Sequence, residues 1–139
     1  MCLLVPAGGC LPEPPKKPAL PPPPARGLDF IRVQHVLVKH TSPGRTPEEA
    51  KKLAYELFER AKGGEDFDAM MKKYSEDPGP GIYGMTNHGA PARPGESSRS
   101  GMVKGFGDTG FSLDVGEIGI CDYHPTESGH GWHIIKRLE

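Results

Sequence analysis

The 139-residue sequence has little cysteine, no long apolar run and almost no net charge. Its cysteines are Cys2, Cys10 and Cys121, an odd and widely spaced set that gives neither a disulfide framework nor a pair-of-pairs zinc pattern. No stretch approaches the roughly 20 apolar residues that cross a bilayer, so no transmembrane segment is expected. With Lys+Arg 17 against Asp+Glu 18 and a formal net charge of -1, the balance favours neither nucleic acid nor an anionic lipid surface as a partner. The length allows one domain that buries a core without disulfides or metal, and a monomer is expected.

What the chain has in excess is proline and glycine, Pro 16 and Gly 19, and nine of the prolines fall in the first 28 residues. Residues 1–28 therefore read as a solvated Pro-rich tether and residues 29–139 as the folded domain. Pro21 to Arg26 fits the pattern that SH3 grooves read, but four prolines before an arginine are better read as a spacer. Met1 to Cys10 places small residues before a cysteine, as in a lipoprotein cleavage site. It lacks a basic region, and its apolar run of about five residues is short of the usual 7–15, so a lipid anchor requires a start further upstream. The compartment is open: cytoplasm, or cell envelope if such a start exists.

Periodicity sets out the domain. From Phe30 to Lys39, Ile31, Val33, His35 and Leu37 alternate with Arg32, Gln34 and Val36, which predicts a strand, central because both faces carry apolar residues. Thr46-Pro47-Glu48-Glu49 reads as an N-cap, a first-position proline and the glutamate of a capping box. The helix behind it carries Ala50, Leu53, Ala54, Leu57, Phe58 and Ala61 on one stripe and ends at Gly63-Gly64. A second helix from Asp66 to Ser75 presents Phe67, Met70, Met71 and Tyr74. From Asp77 to Gly101 no period survives, which predicts a rim or binding loop. A glycine-weakened helix over Met102 to Leu113, a strand over Ile118 to Cys121 and a closing strand over Gly131 to Leu138 complete the order. The fold class is α+β, a small antiparallel sheet of about four strands flanked by helices.

Four segments of residues 30–139, taken in order, resemble the parvulin-type (PpiC-type) peptidyl-prolyl cis-trans isomerases. They are His35-Val-Leu-Val-Lys-His40; Gly64-Glu-Asp-Phe67 with Lys73-Tyr-Ser-Glu-Asp77; Met102-Val with Phe106, Phe111 and Val115-Gly-Glu117; and Gly131-Trp-His-Ile-Ile135. The resemblance implies a rotamase that assists protein folding by turning X-Pro bonds of peptides or unfolded proteins, with no cofactor and no metal. It implies His35, Asp77 and His133 as the polar cluster beside the rotating bond, and Met102, Phe106, Phe111 and Ser128 as substrate-binding positions. Asp77 stands where some relatives carry a cysteine, and a carboxylate there excludes thiolate chemistry. The barrier to be lowered is the ~18–20 kcal/mol of amide resonance, so binding a twisted amide in preference to a planar one is sufficient.

Two departures from the family pattern stand out. Pro78-Gly-Pro-Gly-Ile-Tyr-Gly84 replaces the family's Gly-Gly-Asp-Leu-Gly element, and the turn Tyr123 to Ser128 is longer. Lys39 and Arg45 lack the adjacent second arginine of phosphate-directed relatives, so no requirement for a phosphorylated residue is expected. The rival readings are a zinc site from Cys121, His124, His130 and His133, and a peptide-binding chaperone module without turnover. Against the first, two histidines spaced three apart on a strand point to opposite faces. A third reading makes the two histidines a polar pair that satisfies the core and catalyses nothing.

Overall fold

The computed structural model describes residues 28–79 and 81–139. The expected tether, apart from Leu28, the motif at Pro21 to Arg26 and the lipid-anchor reading at Cys10 all lie outside the described residues. The chain runs β1 (Phe30–Lys39), α1 (Pro47–Lys62), α2 (Phe67–Tyr74), β2 (Ile82–Thr86) and β3 (Ser97–Ser98). A short 3-10 turn (Arg99–Gly101), α3 (Lys104–Ser112), β4 (Ile118–Cys121) and β5 (Gly131–Arg137) follow.

The sheet order is β3-β2-β1-β5-β4, so β1 is central, as its two apolar faces predict. The α+β class stands, with one correction: the sheet has five strands, and its outermost pair, β2 and β3, runs parallel, so it is mixed. The extra strands come from the stretch expected to be loop. There, β2 pairs antiparallel with β1, Ile31 opposite Met85 and Val33 opposite Tyr83. The two-residue β3 is held by Met85 and Thr86, whose Oγ1 donates to the Ser97 carbonyl at 3.2 Å.

Alternation along the strands divides the core in two. Val36 and Val38 of β1 with Trp132 and Ile134 of β5 bury against Ala54, Leu57 and Ala61 of α1 and Phe67 and Met70 of α2. The opposite face of the same strands, Ile31, Val33 and Ile135, packs with Met85, Cys121, Phe106 and Leu113 under α3. At roughly 1.5–3 kcal/mol per fully buried large apolar side chain, these two layers supply the main stabilisation. The start of α1 is the capping box the sequence predicts: the Glu49 N–H donates to Thr46 Oγ1 at 3.1 Å and the Thr46 N–H to Glu49 Oε1 at 2.8 Å. Among the described residues no helix is long and apolar enough to cross a membrane.

Candidate active site

Pairing of β1 with β2 ends near His35, whose N–H donates to the Gly81 carbonyl at 2.8 Å. Beyond that point the segment after α2 takes over the free edge of β1. The Leu37 N–H donates to Ser75 Oγ at 3.1 Å, the Glu76 N–H to the Leu37 carbonyl at 2.8 Å, and the Lys39 N–H to Glu76 Oε1 at 3.0 Å. This splice delivers Asp77 beside His35. On the other edge Leu37 lies opposite His133, and because side chains alternate, His35 and His133 share the face that looks toward α3.

The three polar residues form one chain of hydrogen bonds. His35 Nε2 lies 2.8 Å from Asp77 Oδ2, and His35 Nδ1 lies 3.1 Å from His133 Nδ1. A carboxylate only accepts, so His35 donates through Nε2; its Nδ1 is then bare and accepts from His133 Nδ1–H. His133 Nε2 is left as a bare lone pair, buried and without a partner among the described residues. An unpaired acceptor costs less than an unpaired N–H in the same place, which favours this tautomer. Phe106 stands edge-on to both imidazoles, with centroids 5.0 Å from His35 and 5.2 Å from His133.

Burial sets the charge states. It pushes His133 down to about 3, aided by the neighbouring His35 and His130, and also pulls His35 down against the opposing pull of Asp77. Both rings are therefore neutral near pH 7. Burial alone raises the Asp77 carboxyl, yet the Gly79 N–H, the Tyr83 hydroxyl and His35 together outweigh it and hold the group below its ordinary value. The site is one ionised carboxylate with two neutral imidazoles.

This cluster lines a cavity of about 450 Å³, completed by Leu37, Met102, Val103 and Phe106 on its apolar side and by Lys39, Tyr83 and His130. Of the positions implied by resemblance, His35, Asp77, His133, Met102 and Phe106 come together here. Phe111 and Ser128 do not line the cavity. Phe111 lies under the Arg99 guanidinium, 4.7 Å from its ring centroid, and the buried Ser128 hydroxyl donates to the Gly131 carbonyl at 2.8 Å. The residue that sequence reasoning missed is Tyr83, whose hydroxyl donates to Asp77 Oδ2 at 2.8 Å. Its only signal was the weak alternation of Tyr83 and Met85 across Gly84.

Three of the four side chains of the zinc reading are engaged separately, and the fourth, His130, lines the cavity. Cys121 is buried beside its own strand turn and donates to the Asp122 carbonyl at 3.7 Å. His124 Nδ1 accepts from the Thr126 and Glu127 N–H groups, both at 3.2 Å, and His133 is held by His35. Among the described residues no three His, Cys, Asp or Glu side chains stand as a metal-binding group.

Known proteins carry the same arrangement of elements. The chain is 37% identical over 109 residues to foldase protein PrsA 4 of Bacillus cereus, covering 76% of this chain and 30% of that protein. It is 32% identical over 110 residues to chaperone SurA of Pseudomonas fluorescens, covering 79% of this chain and 23% of the relative. It thus spans about a quarter to a third of the length of these relatives. The crystal structure of the peptidylprolyl isomerase PrsA from Bacillus anthracis shares the fold, with a TM-score of 0.54 and 21% identity over 79% of this chain and 41% of that one. The model of the PPIC-type PPIase domain matches residues 25–139, a span that contains every residue of the sheet, the helices and the cavity, and the chain belongs to this parvulin-type family.

Proposed function

We propose that residues 29–139 act as a peptidyl-prolyl cis-trans isomerase on X-Pro bonds of peptides or unfolded proteins, with Asp77, His35 and His133 as the polar group beside the rotating amide. The observation that carries this is the union of an apolar slot with an ionised carboxylate on its wall, in one cavity of about 450 Å³. Leu37, Met102, Val103 and Phe106 offer apolar surface of the kind a proline ring fills. A planar amide carries extra negative charge on its carbonyl oxygen from resonance, and twisting the C–N bond reduces it. An anionic wall therefore disfavours the planar forms relative to the twisted one, so the rotation needs no covalent step. The names of the foldase and chaperone relatives support peptide or unfolded-protein substrates.

The test is exchange spectroscopy on short X-Pro peptides. Catalysis gives accelerated cis/trans exchange, and Met102→Ala lowers kcat/KM about tenfold, the worth of one apolar contact of that size, while the variant remains folded at the assay temperature. Peptide resonances that shift on titration while exchange keeps its uncatalysed rate would replace this reading with a binding module without turnover.

A phosphorylated residue before the proline is not required. The Arg45 guanidinium is held by Glu76, which also accepts from Ser42 Oγ at 2.6 Å, so Lys39 is the cation left on the cavity wall among the described residues. An exposed single charge contributes less than about 1 kcal/mol, so phospho-Ser-Pro and Ser-Pro peptides should differ by no more than about fivefold in kcat/KM. A preference of a hundredfold would contradict this.

A further inference from the structure

Tyr83 lies in none of the four segments that carry the resemblance, and it enters the site from β2, where the sequence departs from the family pattern. Its hydroxyl and His35 Nε2 both approach Asp77 Oδ2 at 2.8 Å, while the Gly79 N–H donates to Oδ1 at 3.1 Å. A carboxylate offers about two acceptor positions per oxygen. Oδ2 is therefore filled, and only Oδ1 retains a free position. The ring is fixed too, edge-on to Phe106 with centroids 6.1 Å apart and tilted against His35 at 5.4 Å.

We propose that the Tyr83 hydroxyl is a positioning group that holds Asp77 as an ionised acceptor in one orientation and thereby fixes the direction of the hydrogen-bond chain from His133 through His35. The need for that direction lies at the far end of the chain. If Asp77 takes up a proton and donates it to His35 Nε2, His35 must donate through Nδ1 to His133, whose own proton then sits on Nε2. That atom is buried with no acceptor among the described residues, so the reversed chain ends in an unpaired N–H. Tyr83 opposes the reversal because a hydroxyl donating to Oδ2 favours the ionised carboxyl. The electrostatics agree: the hydroxyl is pushed up to about 12, by burial and then by Asp77, so it remains a donor, while Asp77 is held below its usual range.

Other groups face Asp77 as well. His35 comes from β1 and the Gly79 N–H from its own segment, with His133 of β5 behind His35 and Lys39 and His130 on the cavity wall. None of these is altered when one oxygen is removed from Tyr83. Tyr83→Phe keeps the ring and isolates the hydroxyl. A second route is Gly79→Ala, whose Cβ would lie 2.6 Å from the Tyr83 hydroxyl oxygen and push it away from Asp77.

The experiment follows the Asp77 carboxyl ¹³C resonance through a pH titration in the wild type and both variants, beside kcat/KM against pH for a Leu-Pro peptide. In both variants the carboxyl midpoint and the acid limb of the rate profile should move upward together, by about one pH unit for a part-buried, charge-assisted hydrogen bond. Unmoved midpoints with only a lower melting temperature would overturn the proposal and leave Tyr83 as packing. The kinetic arm rests on the isomerase reading. A wild type without turnover would sink that reading, while the carboxyl titration would still decide the role of Tyr83.

Discussion

Gly131→Ala should destabilise the domain by on the order of 4 kcal/mol or more, a large part of the ~5–15 kcal/mol that holds a small domain together. Gly131 opens β5 at φ 151° and lies opposite Lys39 in the central β1–β5 ladder. A Cβ there would stand 2.1 Å from the Val38 carbonyl oxygen, 2.7 Å from the His40 nitrogen and 2.8 Å from the Lys39 Cα. All three are backbone atoms at the end of β1, so no side-chain rotation relieves the clash, and either the ladder opens or β5 shifts. A shift carries Trp132 and His133 with it, which ties this position to both the core and the site. The chain has one tryptophan, so urea unfolding followed by Trp132 fluorescence reports the event directly. Gly89→Ala is the control: its φ of 78° is also positive, but nothing lies within 4 Å of the added carbon, so it should cost about 1 kcal/mol. Equal unfolding midpoints for the two variants would show that the β1–β5 ladder absorbs the extra carbon.

The parts of this fold that were legible in the sequence are those specified by neighbours in the chain. Thr46 to Glu49 writes its own capping box, and the stripe from Ala50 to Ala61 names the face that is buried. Period two along β1 and β5 places His35 and His133 on the same side of the sheet once the strands pair, since Leu37 meets His133. What was not legible depends on partners far along the chain. Ile82 to Thr86 is a poor strand by itself, interrupted by Gly84, and exists because β1 offers an edge. Asp77 reaches the site because Ser75 and Glu76 bond to β1, not because of any periodicity around it. Phe111 was assigned to the same pocket as Phe106, yet five helical residues turn the chain through about 500°, which leaves the two rings roughly 140° apart around α3. Phe106 faces the histidines, and Phe111 supports Arg99, which also bonds Asn87 at 3.0 Å and Asp108 at 2.8 Å. Ser128 was chosen for its hydroxyl, and its place in the turn gives that hydroxyl a carbonyl partner next to β5.

Acid should begin to destabilise this domain from about pH 6.5 downward, before the carboxylates titrate, and His133 should be the main cause. An unfolded imidazole takes up a proton as pH falls through about 6.5, whereas burial, with help from His35 and His130, holds folded His133 neutral down to about 3. Between these values the unfolded state binds more protons than the folded one, so stability rises with pH across the window and is lost as pH drops. The sign is the same for the other two members of the site. His35 is lowered by burial, and Asp77, held below its usual range, contributes stability that is present above its unfolded value and lost as pH falls through its folded one. For His133 alone the loss amounts to about 3 kcal/mol between pH 7 and pH 4, approaching 5 kcal/mol only below pH 3. His133→Phe separates this residue from the general effect of acid. Phenylalanine fills the same place beside Phe106, leaves His35 Nδ1 as a bare acceptor and cannot protonate. The variant should therefore lose far less stability from pH 7 to pH 4 in parallel urea titrations, whatever its stability at pH 7. Identical slopes for the variant and the wild type would show that His133 is protonated in the folded state, and that the hydrogen-bond chain ending on Asp77 does not have the direction assigned to it.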